Sequence, residues 1–267
     1  MLNQIQRIKP KLFNFKFLAL VLVSLASATS EARVFSYKER WFAPFVRGSM
    51  GYSRVNDSAF ADSSGYNTST SGGVDWNYGG EFGFAIGLTD SLFMRVGAEV
   101  LNMKDGDAKG KSAAGVDWMT IDSSVFVFNP NVGFDYYYSQ IGNVRFFGSA
   151  SVGMATITLE NRYDLTSAGS TANGNQPDFI EKAEAQTYSG TASMGLEALF
   201  TDNVTVLFDA GYRYLPVKEF KLKGNVDSFG NPTAAKGDVL LNNDGTRRSL
   251  DLGGFYTSLT FRFYLNF

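Results

Sequence analysis

The 267-residue sequence contains no cysteine and no histidine. Without cysteine, the fold has no disulfide and the chain has no attachment residue for a lipoprotein anchor. Without histidine, the chain lacks the usual general base, the Ser–His nucleophile pair and imidazole as a metal ligand. These two absences argue against an enzyme, and the sequence predicts no cofactor and no metal site.

Long apolar runs are also scarce, and the clearest one is Phe17–Leu25 near the N-terminus. It is too short for a membrane-spanning helix, which needs about 20 apolar residues. Four basic residues precede the run: Arg7, Lys9, Lys11 and Lys16. Small-residue cleavage sites follow it and end at Ala28 and Ala32. This pattern predicts a secretory signal peptide over residues 1–32 and a single domain over residues 33–267.

The charge balance gives no sign of a nucleic-acid partner. The chain has 24 basic and 26 acidic residues, so it lacks the basic surplus that binds phosphate backbones. Aromatic residues make up 15% of the sequence, and 28 residues are glycine. Since no other apolar run approaches the length of a spanning helix, a membrane protein with this sequence would cross as alternating strands.

The closing segment, residues 255–267, alternates between apolar and polar side chains. The apolar positions are Phe255, Leu259, Phe261, Phe263, Leu265 and Phe267. The positions between them are Tyr256, Ser258, Thr260, Arg262, Tyr264 and Asn266. Because side chains of a β-strand point to opposite faces in turn, this segment predicts a strand with one apolar and one polar face.

Seven further segments share this alternation. They span approximately residues 43–55, 77–88, 91–103, 118–138, 143–160, 186–200 and 203–220, and 250–267 is the eighth. The segment 143–160 is the least regular, because Phe147, Ile157 and Leu159 fall on its polar face. In 118–138, Pro130 lacks the N–H that a central strand donates. We expect one long strand with a local bulge at Pro130; splitting it there would give nine strands.

The connections alternate in length. Short turns are predicted at 89–90, 139–143 and 201–202, and long polar loops at 56–76, 104–117, 161–185 and 221–249. In the loops, Asp105-Gly106-Asp107 and Asn242–Gly245 lack the ligand spacing of a calcium site, so solvated loops are expected. An open sheet cannot span lipid because its edges leave backbone groups unpaired. The sequence therefore predicts an all-β, closed, eight-stranded antiparallel barrel with short periplasmic turns and long extracellular loops.

Alternation alone does not decide which face is outside, since a soluble lipocalin-like barrel would hold the apolar face inward. Aromatic residues cluster near both strand ends, as expected at membrane interfaces. Trp76, Tyr78, Trp118 and Tyr214 lie near the loop ends, and Trp41, Tyr136, Tyr138, Phe200, Phe263 and Phe267 near the turn ends. Gly51, Gly83, Gly97, Gly133, Gly153, Gly195 and Gly211 all share the polar face. Small residues suit a narrow interior, so we expect the apolar face outward.

Together these features resemble the small Gram-negative outer-membrane barrels of the OmpA-like, opacity-type and OmpW-like superfamily. The resemblance implies a place in the outer membrane, with the lipid bilayer, lipopolysaccharide and the outer-membrane assembly machinery as partners. The terminal segment resembles the assembly signal of these proteins, carried by Phe263, Leu265 and Phe267. Enzymes among small barrels of this kind use a histidine, so the resemblance also argues against catalysis here.

The inward face of the predicted barrel carries five residues of each charge sign. They are Arg47, Arg95, Arg145, Arg213 and Arg262 with Glu81, Glu99, Asp135, Glu197 and Asp209. Unpaired buried charge is costly, and the guanidinium fork binds carboxylates in a bidentate manner. We therefore favour a salt-bridge network that plugs the lumen over an ion-selective constriction.

Two functions fit this barrel. In the first, it is a structural, surface-exposed protein of adhesion or interaction type, whose loops contact a host or phage surface ligand. In the second, it is a narrow porin-like channel for ions or small apolar solutes, for which Phe147, Ile157 and Leu159 would form an apolar vestibule. The segments 118–138, 143–160 and 203–220 exceed the 9–11 residues that a tilted strand needs to cross lipid, so the barrel is expected to project beyond the membrane.

Overall fold

The computed structural model describes residues 41–53, 67–70, 76–103, 106–112, 114–172, 174–201, 203–225, 234–241 and 246–265. The predicted signal peptide 1–32, Phe267 of the predicted assembly signal and the segment Asn242–Gly245 lie outside these residues.

The chain is almost entirely β-structure. In chain order its elements are β1 (Phe42–Ser53), β2 (Asn67–Thr70), β3 (Trp76–Gly87), β4 (Leu92–Met103), β5 (Gly106–Lys111), β6 (Asp117–Ile141), β7 (Val144–Leu165), α1 (Ser167–Ala172), β8 (Phe179–Thr201), β9 (Val204–Tyr214), β10 (Pro216–Val217), β11 (Lys221–Leu222), β12 (Leu250–Asp251) and β13 (Gly254–Phe263). Among the described residues, no helix is long and apolar enough to cross a membrane.

The eight long strands form a ring. Each pairs antiparallel with its neighbours in the order β1, β3, β4, β6, β7, β8, β9 and β13. The last strand returns to the first, from Phe45↔Arg262 to Ser53↔Gly254. The predicted eight-stranded antiparallel barrel is thereby confirmed, since the ladder leaves neither terminal strand with a free edge along this stretch.

The connections alternate as predicted. β6 and β7 are joined by only Gly142 and Asn143, where Gly142 has φ +59°, a conformation that glycine adopts without a Cβ clash. Between β3 and β4, the Thr89 hydroxyl accepts hydrogen bonds from the backbone N–H groups of Ser91 (3.3 Å) and Leu92 (3.0 Å). The short turns lie at one end of the ring and the long connections at the other.

The predicted orientation of the two faces is confirmed by burial. Outward side chains such as Val46 and Phe82 are 58% and 64% exposed, whereas their neighbours Arg47 and Glu81 are buried inside the ring. This is the reverse of a soluble barrel, in which the apolar face would be sheltered.

The bulge predicted at Pro130 is wrong. β6 pairs with β7 at Phe128↔Thr156 and again at Asn131↔Gly153, so the register is the same on both sides of the proline. On the other side, Pro130 keeps its place opposite Ala98 of β4. Proline removes a donor without adding a residue, so the ladder has a local gap and no shift. The register shift in this pair lies instead between Tyr137 and Ser139.

Several predicted strand limits also need correction. β7 continues to Leu165 and β8 begins at Phe179, within the predicted loop 161–185, whereas β9 ends at Tyr214. At the loop end the sheet continues past the ring: β5 pairs with the extended end of β6, β2 pairs with β5, and β11 pairs with the extended end of β8. We call this sheet, which contains residues 67–70, 106–111, 117–125, 158–165, 179–186 and 221–222, the projecting sheet.

Candidate functional site

The ring places all ten charged residues singled out in the sequence on its inner face. Alternation along each strand turns them inward, and all ten are buried. Each takes part in at least one ion pair. We call these ten residues the inner charge network; they are Arg47, Glu81, Arg95, Glu99, Asp135, Arg145, Glu197, Asp209, Arg213 and Arg262.

The network begins mid-barrel around Arg47. Its guanidinium lies between two carboxylates, 2.7 Å from Asp209 and 3.2 Å from Glu81. Glu81 is directly opposite Arg47 in the β1–β3 register, so the strand pairing itself sets this contact. The remaining Nε–H of Arg47 donates to the Ser258 hydroxyl at 2.8 Å, and Ser258 in turn donates to Asp209.

From Glu81 the chain of charges runs toward the turn end. Arg95 joins Glu81 (3.8 Å) to Asp135 (2.9 Å), and Arg262 also binds Asp135. Arg262 lies 3.8 Å from Glu197, and Glu197 lies 2.7 Å from Arg145. Eight charges therefore alternate in sign, in the order Asp209, Arg47, Glu81, Arg95, Asp135, Arg262, Glu197 and Arg145.

The turn end of the network is embedded in aromatic side chains. Tyr137 accepts a hydrogen bond from Arg262 at 2.6 Å, and the guanidinium carbon of Arg145 lies 3.8 Å from the centre of its ring. Phe93 and Phe147 each pack against Tyr137 at 5.6 Å. Tyr264 donates to Glu197 at 2.9 Å. These rings exclude water from the charges and strengthen their attraction.

The ninth and tenth charges form a separate pair nearer the loop end. Arg213 binds Glu99 at 2.5 Å and donates to Asn77 at 3.3 Å. The ring of Tyr256 lies between this pair and the rest of the network, since the guanidinium carbons of Arg47 and Arg213 are 5.3 and 5.2 Å from its centre. Charged and aromatic groups thus fill the lumen in successive layers.

Two inward glycines show how tightly the lumen is filled. A Cβ on Gly83 would lie 2.2 Å from the backbone oxygen of Val96, and a Cβ on Gly97 would lie 2.8 Å from a Glu81 carboxylate oxygen. Glycine is therefore required where the strands and the charges approach closely.

Beyond the charges lies an apolar layer that the sequence did not predict. Inner-face residues of β4, β6, β7 and β8 form a cluster with residues that follow β9. The cluster contains Leu101, Met103, Val125, Val127, Ala155, Ile157, Leu159, Ala183, Ala185, Leu215, Val217, Phe220, Leu222, Ala234, Leu240, Leu250 and Leu252. The signal was present in the recurring leucines between 215 and 252, which a fully solvated loop does not need.

The prediction of a polar loop over 221–249 is wrong for its described residues, because Leu222, Ala234 and Leu240 are buried. We call residues 215–225, 234–241 and 246–252 the inner strap, because it lies along the inner wall. Its strand β11 pairs with β8 at Leu222↔Ala183, and its two ends are joined by the β10–β12 ladder. Burial of the leucine side chains offsets the cost of ordering this long connection.

The proposed apolar vestibule is also corrected. Ile157 and Leu159 belong to the apolar cluster that includes the inner strap, whereas Phe147 packs against Tyr137 at the turn end. The three residues lie in two separate layers because they are separated by many residues along one strand. Both layers are packed.

A buried ion pair outside the predicted set joins the inner strap to β8. Arg248 binds Glu181 at 3.0 Å, and both side chains are 4% exposed. Asn161 donates to the same carboxylate oxygen at 3.0 Å. Within the described part of the chain, no group of three or more acidic side chains forms a metal site.

No protein-family profile matches the chain. No curated protein sequence matches it either. Similar solved structures include OprG from Pseudomonas aeruginosa, with 12% identity over 86% of this chain and 99% of that chain and a TM-score of 0.42. Ail of Yersinia pestis has 11% identity over 84% and 99% of the two chains and a TM-score of 0.37. The outer membrane protease OmpT from Escherichia coli has 9% identity over 85% and 94%, with a TM-score of 0.44.

OprG and OmpT are named as outer-membrane proteins and Ail as an attachment invasion locus protein. At these identities and TM-scores, the similarity carries no inference about activity.

Proposed function

We propose that the chain is a non-catalytic outer-membrane barrel, a structural, surface-exposed protein of interaction type with a closed lumen. The observation that supports this most directly is the run of eight ion-paired charges of alternating sign across the inside of the ring. Buried charges need their partners, so ions cannot pass without separating the pairs.

The outward surface supports a place in the bilayer, with lipid and lipopolysaccharide around it. Between two aromatic girdles the outward side chains are predominantly apolar, and we call this part of the barrel the membrane belt. Exposed aromatic residues at its turn end are Trp41, Tyr136, Tyr138, Phe200 and Phe263; those at its loop end are Trp76, Tyr78, Tyr188 and Tyr214. Aromatic side chains favour such interfaces because their rings are apolar and their edges are polar.

The projecting sheet would carry the contacts with a host or phage surface ligand. Its outward face is charged and water-compatible, with Lys182 paired to Glu160 at 2.8 Å and Lys223 paired to Glu184 at 2.5 Å. It lies at the loop end, which is extracellular in outer-membrane barrels. Interaction with the assembly machinery through Phe263, Leu265 and Phe267 stays a prediction.

A cysteine-labelling experiment tests this placement, because the chain has no cysteine of its own. Lys182→Cys lies on the projecting sheet, and Ser139→Cys lies at the turn end as its matched control. In intact cells, a membrane-impermeant maleimide should label Lys182→Cys and reach Ser139→Cys only after permeabilisation. The opposite pattern, or equal labelling of both, would overturn the placement.

Conductance of the refolded wild type in planar bilayers tests the closed lumen. The charge network predicts little or no steady current. A large and steady current would favour the alternative, a narrow channel for ions or small apolar solutes. That alternative has lost its sequence support, since Phe147 is separated from Ile157 and Leu159 and all three are packed.

A further inference from the structure

One part of the membrane belt is recessed. A groove of about 790 Å³ crosses the outward face of β8, β9, β13 and β1, next to the aromatic girdle at the loop end. Its floor is formed by Ala210 and Thr257, which lie opposite each other on β9 and β13. Met194 pairs with Ala210 on one side, and Met50 pairs with Thr257 on the other. Two short side chains between two long ones therefore leave a hollow in the wall, which we call the belt groove.

Aromatic side chains line the belt groove toward the loop end. In a single row across four strands lie Tyr212, Phe255, Tyr52 and Trp76. The rings of Tyr212 and Phe255 meet edge-on at 5.4 Å. The rings of Tyr52 and Trp76 do the same at 5.6 Å. Tyrosine and tryptophan contact hydrocarbon with their rings and hydrogen-bond to polar groups with their edges. The groove therefore has an apolar body and an edge suited to head groups, as a site for an amphiphile requires.

The wall stays low beyond the groove, toward the middle of the belt. Gly48 and Gly80 face outward and lie opposite each other on β1 and β3. A Cβ on Gly48 would have no atom within 4 Å, so open space covers this position. Gly48 is two residues from Met50 on the same face of β1, so the low surface adjoins the groove. A hydrocarbon chain longer than the groove can therefore continue along the wall toward the bilayer centre.

Shape, more than apolar character, distinguishes the groove from the rest of the belt. Lipid chains are as apolar as the side chains they touch, so contacts within a membrane are decided by van der Waals packing. Neighbouring strands lie about 4.8 Å apart, which places the two methionines about 14 Å apart across three strand spacings. On the convex wall elsewhere, a lipid chain touches protein on one side only, whereas in the groove it touches the floor and a side wall. Many additional weak contacts therefore favour an occupant that fills the hollow.

We propose that the belt groove is a binding site for the acyl chains of an outer-leaflet lipid. The groove lies inside the membrane belt, so the lipid that surrounds the belt is the material that reaches it. A head group at the level of Tyr52 and Trp76 places the chains over Thr257 and Ala210. The chains hold the lipid, and the head group contributes little. This inference goes beyond the proposed surface function and rests only on the place of the barrel in the membrane, so a conducting lumen would leave it unaffected.

Trp76 reports directly on the occupant of the groove. The chain has three tryptophans, so Trp41→Phe with Trp118→Phe leaves Trp76 as the single fluorophore. The folded protein, in a bile-salt detergent that has no alkyl chain to compete, is titrated with phosphatidylcholine carrying brominated chains. Bromine on a bound chain quenches a nearby indole, so Trp76 emission should fall and level off at about one lipid per barrel. Phosphatidylglycerol with the same brominated chains should give a midpoint within about twofold, because the chains are recognised and not the head group.

Filling the floor should remove the site. Ala210→Phe places a ring in the hollow and should raise the midpoint lipid concentration at least roughly tenfold, because the contacts of the chain with the floor are lost. Ala98→Phe is the matched control, since it makes the same change at an outward alanine of β4, on the opposite side of the ring. It should shift the midpoint by less than about twofold. Circular dichroism confirms folding of each variant, and should Ala210→Phe not fold, Thr257→Phe fills the same floor from β13.

Several results would overturn the lipid site. They are quenching that grows with lipid concentration without levelling off, an unchanged midpoint in the floor variant, and an equal shift in Ala98→Phe. A strong preference for one of the two head groups would also contradict recognition by the chains. A second copy of the chain is the competing occupant: the wild type would then sediment as a dimer and Ala210→Phe as a monomer, with no saturable quenching, and this result would replace the lipid with a protein partner.

Discussion

The membrane belt and the projecting sheet share strands, but their charged side chains lie on opposite faces. In the belt the charged side chains point inward, and in the projecting sheet they point outward. In the belt, β8 turns Met194 outward and Glu197 inward; in the projecting sheet, it turns Lys182 outward and Ala183 inward. The alternation continues unbroken along the strand, so the backbone is the same in both regions. What reverses is the polarity of each face.

We propose that this reversal marks the outer boundary of the bilayer. On β8 it falls between Tyr188, which is 79% exposed, and Glu184, which pairs with Lys223. On β6 it falls between Phe126 and Asp122, both of which point outward. Lipid selects apolar outward residues and leaves the lumen polar, whereas water selects charged outward residues and leaves the core apolar. The lipid or water outside each region therefore determines which face carries the charges.

The largest expected effect is in the lumen of the membrane belt. Arg262→Ala removes the guanidinium between Asp135 and Glu197 and should lower the free energy of unfolding by about 3–5 kcal/mol, the cost of stripping a buried charge of its partner. A urea titration of folding in lipid bilayers measures it. A loss below about 1 kcal/mol would place these charges in a solvated lumen.

A second variant shows whether these charges act together. With Glu197→Gln added to Arg262→Ala, the loss should be smaller than the sum of the two single losses, because both changes remove the same contact between Arg262 and Glu197. Additive losses in the double variant would mean that the 3.8 Å contact between Arg262 and Glu197 carries no coupling.

The next effect compares outward positions in the two regions. Leu196→Arg, outward in the membrane belt between Phe146 and Phe208, should cost about 2–4 kcal/mol in the same titration. Ile180→Arg, outward on the same strand in the projecting sheet, should cost less than about 0.5 kcal/mol because water already surrounds it. Equal losses in the free energy of unfolding at the two positions would contradict a boundary between the regions.

The sequence predicted the membrane belt well and the projecting sheet poorly, for one physical reason. Within the belt, one face is always apolar, so alternation identified all eight strands and the face of every lumen charge. Segment 143–160 was irregular because β7 crosses the boundary: Arg145 is inward in the belt, Ile157 is inward at the boundary, and Leu159 is inward beyond it. When the inner face changes from charged to apolar within one strand, the apolar–polar alternation of the sequence is interrupted and the strand is harder to recognise.

Prediction of the site had a similar limit. Spacing along strands placed ten charges inside, but which carboxylate meets which arginine depends on register and side-chain geometry across the ring. The Glu181–Arg248 pair could not be anticipated, because Arg248 lies in a connection with no alternation and Glu181 in a predicted loop. The inner strap lies close to the barrel wall because leucines such as Leu222 and Leu240 pack there. The alternation of side chains along a strand gives no information about such packing.

The smallest expected effect uses two adjacent residues of β8 on opposite faces. Glu181 pairs inward with Arg248 at 3.0 Å, and Lys182 pairs outward with Glu160 at 2.8 Å, so the two distances are nearly equal. Lys182→Ala should nevertheless cost no more than about 1 kcal/mol, because water screens the exposed pair and its flexible side chain loses entropy on pairing. The loss should shrink further in high salt. If a double-mutant cycle of Lys182→Ala with Glu160→Ala gives a coupling above about 2 kcal/mol, the outward face of the projecting sheet is shielded from water, and the polarity reversal on β8 does not mark the edge of the bilayer.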